Sequence, residues 1–306
     1  MNKFIFTTDW HIVFKQPGSR TDDIVNKQFE KLDYFVELCN KEAPDFIIHG
    51  GDLFDGPRNA DPTVLNKVIK ILRKLKAPMY YVPGSHDLYG YNLNSYKQSY
   101  IGTLEASNCI YILNEKGIYQ FAKDLYVGIL PCQLTNKLED YIMFKDCDII
   151  ISHNMITDMS VPYDHILISD LAKTFNRKIF LCGHNHKPFY HMENNNLFVN
   201  TGPLIRTSIT EANLKPHIAV FTRNNILDIN YKEEFIPIEL NVFKDKVEEV
   251  GNNVQITFND ALKNTDLVFN DIYQLLEHIA KEINVDEKYV KLLKERLEDA
   301  ERVLSQ

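Results

Sequence analysis

The sequence predicts an α/β protein, a four-layer α/β/β/α sandwich with a short helical appendage at its C-terminal end. Three observations carry that expectation. Short, largely apolar runs alternate with amphipathic stretches of helical period through roughly the first 235 residues. Two strand-rich blocks, 109–130 and 197–240, stand between helical segments, so two sheets should pack face to face with helices outside. Beyond residue 258 the pattern turns helical and charged.

Taken in order, runs 3–8, 46–49, 79–82, 148–151 and 179–182 are rich in Ile, Val, Phe and Tyr and end in glycines or polar clusters. Continuous apolar runs of this length read as strands buried on both faces. Residues 22–42 place Ile24, Val25, Phe29, Leu32, Phe35, Val36 and Leu38 on one helical face. Residues 62–76 repeat the pattern, and their Lys67, Lys70, Arg73, Lys74 and Lys76 read as a solvated face rather than a DNA patch. Runs 109–113, 118–121 and 125–130 form the first strand block. Runs 197–201, 218–222, 226–231 and 235–240 form the second, with Asn224-Asn225 suited to a hairpin turn.

The tail holds two helices, 267–283 and 286–304. Val290, Leu293, Leu297, Ala300 and Leu304 recur three and four residues apart, a narrow seam of coiled-coil type. Asn284 and Asp286 supply a turn and an N-cap between the helices. The expected division is a catalytic domain over 1–240, an abbreviated cap or linker over 241–262, and a partner-docking helical segment over 263–306.

Composition excludes several classes. With 44% hydrophobic and 25% charged residues, the 306-residue chain has the makeup of a globular protein. No apolar run approaches the roughly 18 residues of a membrane span, and with a strand read from Lys3 onward no signal peptide is expected. Five cysteines without C-x-x-C spacing read as reduced thiols, and the expected compartment is the cytoplasm. A net charge of −8 argues against coating nucleic acid by bulk electrostatics, though not against a local groove or a metal centre.

Each of the five buried runs is followed by a polar cluster: Asp9-Trp10-His11, Gly51-Asp52-Leu53-Phe54-Asp55, Gly84-Ser85-His86-Asp87, Ser152-His153-Asn154 and Gly183-His184-Asn185-His186. Ligands of open α/β sheets gather beyond the carboxyl ends of strands, so the clusters should converge at one edge of one sheet. Carboxylate and imidazole without thiolate suit a hard or borderline divalent ion such as Mn²⁺, Mg²⁺, Fe²⁺ or Zn²⁺. Two ions about 3.5–4 Å apart need a bridging carboxylate, and Asp52 after two glycines is placed for it. Asp9 and His11, two apart, share a side in an extended segment and can chelate one ion. His184 and His186 share that spacing, unless Gly183 turns them toward different ions. Outside the ligand set, His49 reads as a core histidine and Asp55 as a hydrogen-bond partner behind the ligands. Trp10 either flanks a substrate or packs beneath the site. His165, His191, His217 and His278 read as ordinary polar residues.

These motifs (D-x-H, G-D-x-x-D, a third cluster ending in H-D, a lone H and G-H-x-H) occur in the order found in the calcineurin-like metallophosphoesterases, which the chain resembles over residues 1 to about 210. Gly50–Asp55, a long helix and then Pro83-Gly84-Ser85-His86-Asp87 resemble the SbcD-type nuclease subunit of double-strand-break repair complexes. The resemblance implies one ion on Asp9, His11, Asp52 and His186, and a second on Asp52, position 85, His153 and His184. Position 85 is serine where the family has asparagine; its shorter, weaker hydroxyl either loosens the second ion or leaves a water to fill the ligand position with activity kept. His86 takes the family's non-ligand role, stabilising the transition state or protonating the leaving oxygen. Asp87 and Arg206 stand behind the ligands or against the substrate, Arg206 as a candidate phosphate contact.

The resemblance further implies a Mn²⁺-dependent DNA nuclease with 3′–5′ exonuclease and endonuclease activity. It would act in double-strand-break repair or recombination, as a homodimer, beside a coiled-coil ATPase of the SMC type. Two alternatives stand beside it. One is a small-molecule phosphodiesterase or phosphatase on the same scaffold, the other a non-catalytic subunit that only binds DNA or a partner.

Overall fold

The computed structural model describes residues 3–57, 61–132, 137–225, 228–238 and 242–243. The expected helices 267–283 and 286–304, and most of the stretch 241–262, lie outside the described residues. One compact unit spans Met1–Phe243.

In chain order the elements are β1 (Lys3–Thr7), α1 (Ile24–Glu42), β2 (Phe46–His49), α2 (Pro62–Leu72), β3 (Met79–Tyr81), α3 (Tyr100–Ala106), β4 (Tyr111–Ile112), β5 (Gly117–Ala122) and β6 (Leu125–Leu130). They continue with β7 (Ile149–Ser152), β8 (Ile156–Thr157), β9 (Ile166–Leu167), α4 (Ile168–Thr174), β10 (Ile179–Cys182), β11 (Phe189–Glu193), β12 (Asn196–Asn200), β13 (His217–Asn225) and β14 (Asp228–Phe235). The first sheet has the order β14-β13-β1-β2-β3-β4, and the second β11-β12-β10-β7-β6-β5. In both, the central strands are parallel and antiparallel strands lie at the edge.

Alternation within each apolar run builds the layers. Phe4, Phe6, Phe46 and Ile48 face Ile149, Ile151, Ile179 and Leu181 of the other sheet in one buried cluster. Their neighbours Ile5 and Ile47 turn the opposite way, onto Leu32, Phe35 and Val68 of α1 and α2. On the far side Ile150, Phe180 and Phe198 pack against Leu171 of α4. A strand covered on both faces has no polar side to show, which is why these runs read as continuous rather than alternating. Phe4 stacks on Phe221 and Phe46 at centroid distances of 4.6 and 5.3 Å, tying three strands together. The unit Met1–Phe243 has the four-layer α/β/β/α architecture.

Helix ends follow local chemistry. Asp23 caps α1 through the Asn26 N–H, and the helix stops where Ala43 turns left-handed and its N–H returns to Cys39 O. Asp61 caps α2, which begins with Pro62 and ends at Leu72, four residues short of the expected limit.

The second block departs from expectation. In place of separate strands at 226–231 and 235–240, the described residues form one strand, β14, from Asp228 to Phe235, and residues 236–238 lie outside it. Its ladder to β13 extends as far as Asn225 opposite Asp228, so Asn224-Asn225 lies in the strand rather than the turn. Pairing of β13 with β14, which continues through a register shift between Arg223 and Asn225, carries the strand past the local turn signal.

Candidate metal centre

The five clusters converge, but across two sheets rather than one. Asp9, Asp52 and Ser85 follow β1, β2 and β3 of the first sheet; His153 and His184 follow β7 and β10 of the second. Face-to-face packing of the sheets brings both sets of carboxyl ends to one rim.

Backbone turns aim the side chains. Asp9, His11, Asp52 and His184 have φ values of 51°, 49°, 54° and 75°. Asp9 and His11 therefore reach the same side by left-handed turns after β1 ends, not by lying in an extended strand. Such conformations cost non-glycine residues about 1–3 kcal/mol each and persist only where surrounding bonds impose them. Here Asp9 N–H donates to Gly51 O at 2.9 Å and His11 N–H to Asp52 O at 3.1 Å. His184 N–H donates to both Asp9 carboxylate oxygens at 3.1 Å. Glycine is required where these loops cross. A Cβ on Gly183 would come 2.5 Å from Gly50 O, and one on Gly84 2.6 Å from Asp52 N.

Among the described residues, three sets of side chains offer ligand atoms within 4.8 Å of one another: Asp9, His11 and His186; Asp52, His153 and His184; and His11, Asp55 and His86. His184 and His186 thus turn into different sets. Asp52 lies between the first two sets, its Oδ2 3.1 Å from His153 Nε2 and 4.0 Å from His11 Nε2. The buried His11 Nε2 has no hydrogen-bond partner and also stands 4.0 Å from Asp9 Oδ1. An imidazole nitrogen left unpaired between two carboxylates is poorly satisfied by protein alone and well suited to a divalent ion. The donor set fits such ions.

Charge within the centre is uneven. Burial opposes ionisation of Asp52, but the His153 imidazolium outweighs it and holds the carboxyl far below the usual range. Burial likewise works against protonated His153, yet Asp52 and Asp9 raise its pKa to about 10. His153 Nδ1–H donates to Gly50 O at 2.7 Å, which directs Nε2 at Asp52. His184 is pushed down to about 4 by burial and the His153 charge, so it is neutral and free to ligate. The carboxyl of Asp9 is raised by burial, with Asp52 adding to the effect.

The remaining residues fall around this centre. Ser85 Oγ donates to Asp52 Oδ2 at 3.2 Å, and His86 N–H donates to Asp52 Oδ1 at 2.7 Å. The His86 ring is 45% exposed, stands edge-on to His11 at 4.8 Å, and has Nδ1 3.9 Å from Asp55. Asp55 is half exposed and lies 3.5 Å from His11 Nδ1. Asp87 is buried beneath, where Oδ2 accepts from Asp52 N, Gly84 N and the Tyr81 hydroxyl.

Arg206 does not take the place expected of a phosphate contact. It is 2% exposed, donates to Ala212 O, and lies 5.4 Å from the Phe243 ring centroid. Trp10 is fully buried, donates to Thr7 Oγ1 at 2.7 Å, and packs on Phe35 and His49, beneath the site. His49 accepts from Gly51 N–H and stacks on Tyr81, outside all three sets.

Sequence reasoning overlooked Glu211. Its Oε1 lies 2.7 Å from His186 Nδ1, and burial of the carboxyl is outweighed by that bond and by backbone donors, so its pKa falls. The available signal was Ser208-Ile209-Thr210-Glu211, a capping box after β12 that closes as one here.

Comparison with known proteins gives the family and the fold. The model of the calcineurin-like phosphoesterase family matches residues 2–188, and the chain belongs to that family. It is 23% identical to the DNA double-strand break repair protein Mre11 of Methanococcus maripaludis over 318 aligned positions, covering 88% of this chain and 80% of that protein. It is 26% identical to the SbcD component of the SbcCD nuclease of Staphylococcus epidermidis over 292 positions, covering 81% and 74%. Among solved structures, a dimetal phosphatase from Danio rerio superposes with a TM-score of 0.53 at 12% identity, covering 78% of this chain and 97% of that one. That likeness is one of fold.

Proposed function

We propose that this chain is a metal-dependent DNA nuclease acting in double-strand-break repair or recombination. The position of Asp52 between two imidazole-bearing sets carries the reading. Asp9, His11, Asp52 and His186 would hold one divalent ion; Asp52, Ser85, His153 and His184 would hold the other. The two named relatives support DNA as the substrate. Mn²⁺ is the proposed ion, with 3′–5′ exonuclease and endonuclease activity. Residues 263–306 would dock a coiled-coil SMC-type ATPase, in a homodimeric assembly in the cytoplasm. Among the described residues no helix is long and apolar enough to cross a membrane.

When bound, the ions supply Lewis-acid activation and neutralise charge developing on the phosphoryl group. The chain's own groups do the rest. His86, exposed and fixed through its backbone N–H to Asp52, would stabilise that charge or give a proton to the leaving oxygen. Asp55 beside it would orient the ring. Asp87 would keep the Asp52 and Gly84 loops in register from below.

Anomalous diffraction from Mn²⁺-soaked crystals, paired with hydrolysis of a double-stranded DNA end, tests the proposal. Two ions flanking Asp52, with DNA hydrolysis lost in Asp52→Asn, are expected. A metal centre without Asp52, or no DNA hydrolysis by a fully metal-loaded protein, would defeat it.

A further inference from the structure

We propose that Glu211 is the positioning residue that holds His186 with its proton on Nδ1, leaving Nε2 as the nitrogen presented to Asp9 and His11. The inference rests on the reading of His186 as a metal ligand. It stands on three features of the loop after β12.

The first is the contact itself. Glu211 is 4% exposed and its Oε1 lies 2.7 Å from His186 Nδ1. A carboxylate only accepts, so Nδ1 carries a proton, and in the neutral ring the lone pair then belongs to Nε2. His186 has two ring nitrogens and no backbone carbonyl on Nδ1, unlike His153, whose Nδ1 is held by Gly50 O. Glu211 does for His186 what a main-chain carbonyl does for His153.

The second is that the carboxylate cannot swing away. Its Oε2 accepts from Thr207 N at 2.7 Å and Ser208 N at 3.0 Å. The third is that the loop is tied to the body of the protein: Ser19 Oγ donates to Thr207 O, and Arg20 Nη1 to Arg206 O at 3.0 Å. A side chain fixed at both oxygens on an anchored loop sets both the tautomer and the tilt of the ring it touches.

Glu211→Gln isolates the effect. The glutamine carbonyl oxygen can keep the Thr207 and Ser208 amides, while its NH₂ faces His186 and donates where the carboxylate accepted. The cap survives and the polarity at Nδ1 reverses. In chelator-treated full-length protein, ¹⁵N NMR of the histidine rings should show His186 protonated on Nδ1 in the parent and on Nε2 in Glu211→Gln. Calorimetric titration with Mn²⁺ should show one of two sites weakened by about 10–100-fold in the variant. The melting temperature should stay within about 4 °C.

A His186 already protonated on Nε2 in the parent, or a tautomer unchanged in Glu211→Gln, would overturn the proposal. So would an unchanged Mn²⁺ isotherm despite a switched tautomer. His186→Ala separates the two readings. If it keeps both Mn²⁺ sites, His186 is no ligand and the positioning role falls with it. If it loses a site that Glu211→Gln retains, only the Glu211 proposal fails.

Discussion

The Tyr81 hydroxyl donates to Asp87 Oδ2 at 2.6 Å, and that single oxygen also accepts from Gly84 N at 2.7 Å and Asp52 N at 3.0 Å. Tyr81 in turn accepts from Leu53 N–H at 2.9 Å. One buried pair thus pins the two loops that carry Asp52 and Ser85. Tyr81→Phe should destabilise the protein by about 1–3 kcal/mol, since it strands the Leu53 N–H and removes a donor from Asp87. Burial and the charge of Asp52 raise the pKa of Asp87 to about 7. A carboxyl raised on folding favours the folded state below its unfolded value, and that contribution is lost as pH rises through the folded value. Relative to Asp87→Asn, the parent should lose stability between about pH 4 and 7. Urea denaturation of both proteins across that range, with chelator present, measures it; parallel curves would refute the assignment.

Ion binding should release a proton. His153 is held protonated to about pH 10 by Asp52, and only the neutral ring can ligate. Mn²⁺ affinity should therefore rise with pH between 7 and 9, by about tenfold per unit for one competing proton. Titration calorimetry in buffers of different ionisation enthalpy counts the protons released at pH 7.5. A count near zero would remove His153 from the ligand set.

His86→Ala should leave metal content nearly intact and lower the hydrolysis rate by about 10²–10⁴-fold. His86 also belongs to a set with His11 and Asp55 that could hold an ion. Metal analysis of the variant decides between these roles, because a lost equivalent of ion would make His86 a ligand rather than a catalytic residue.

Ser85→Asn should strengthen the ion shared with His153 and His184. The serine hydroxyl reaches Asp52 Oδ2 at 3.2 Å, but it ends one bond short of a carboxamide oxygen. Mn²⁺-dependent hydrolysis should rise by roughly tenfold, the scale of changes that adjust ligands without removing them. Equal rates and equal occupancy would show that position 85 does not limit the site.

A protein ending after Phe243 retains the compact unit, with Phe243 still packed on Arg20 and Arg206. On the proposed function it should bind Mn²⁺ and hydrolyse DNA ends, yet fail to associate with a coiled-coil SMC-type ATPase, the partner proposed for residues 263–306. Pull-down with both proteins tests this, and unchanged association would move the docking surface into the catalytic unit.

The sheets were largely legible. Runs 46–49 and 179–182 coincide with β2 and β10, and run 3–8 is longer than β1 by one residue. That legibility is local in origin. Burial on both faces demands an unbroken apolar run, and the capping acids Asp23 and Asp61 act within a turn of their helices. Asn224-Asn225 misled because a turn preference is weak beside the cross-strand ladder that carries β13 to Asn225.

The residue types of the candidate centre, and their placement after strands, were determined by the sequence alone. Only the tertiary structure decided that they meet across two sheets, through packing of Phe4 and Phe46 against the opposite sheet. It also decided the aim of Asp9 and His11, whose left-handed backbone depends on Gly51 O and Asp52 O, more than 40 residues away. Arg206 turned inward and Glu211 turned toward His186 for the same reason: the side chain of each has a partner remote in sequence, the Phe243 ring for Arg206 and the His186 ring for Glu211. Strand burial is written in consecutive residues. The direction of a charged side chain is set by whichever distant donor or acceptor the fold brings within about 3 Å.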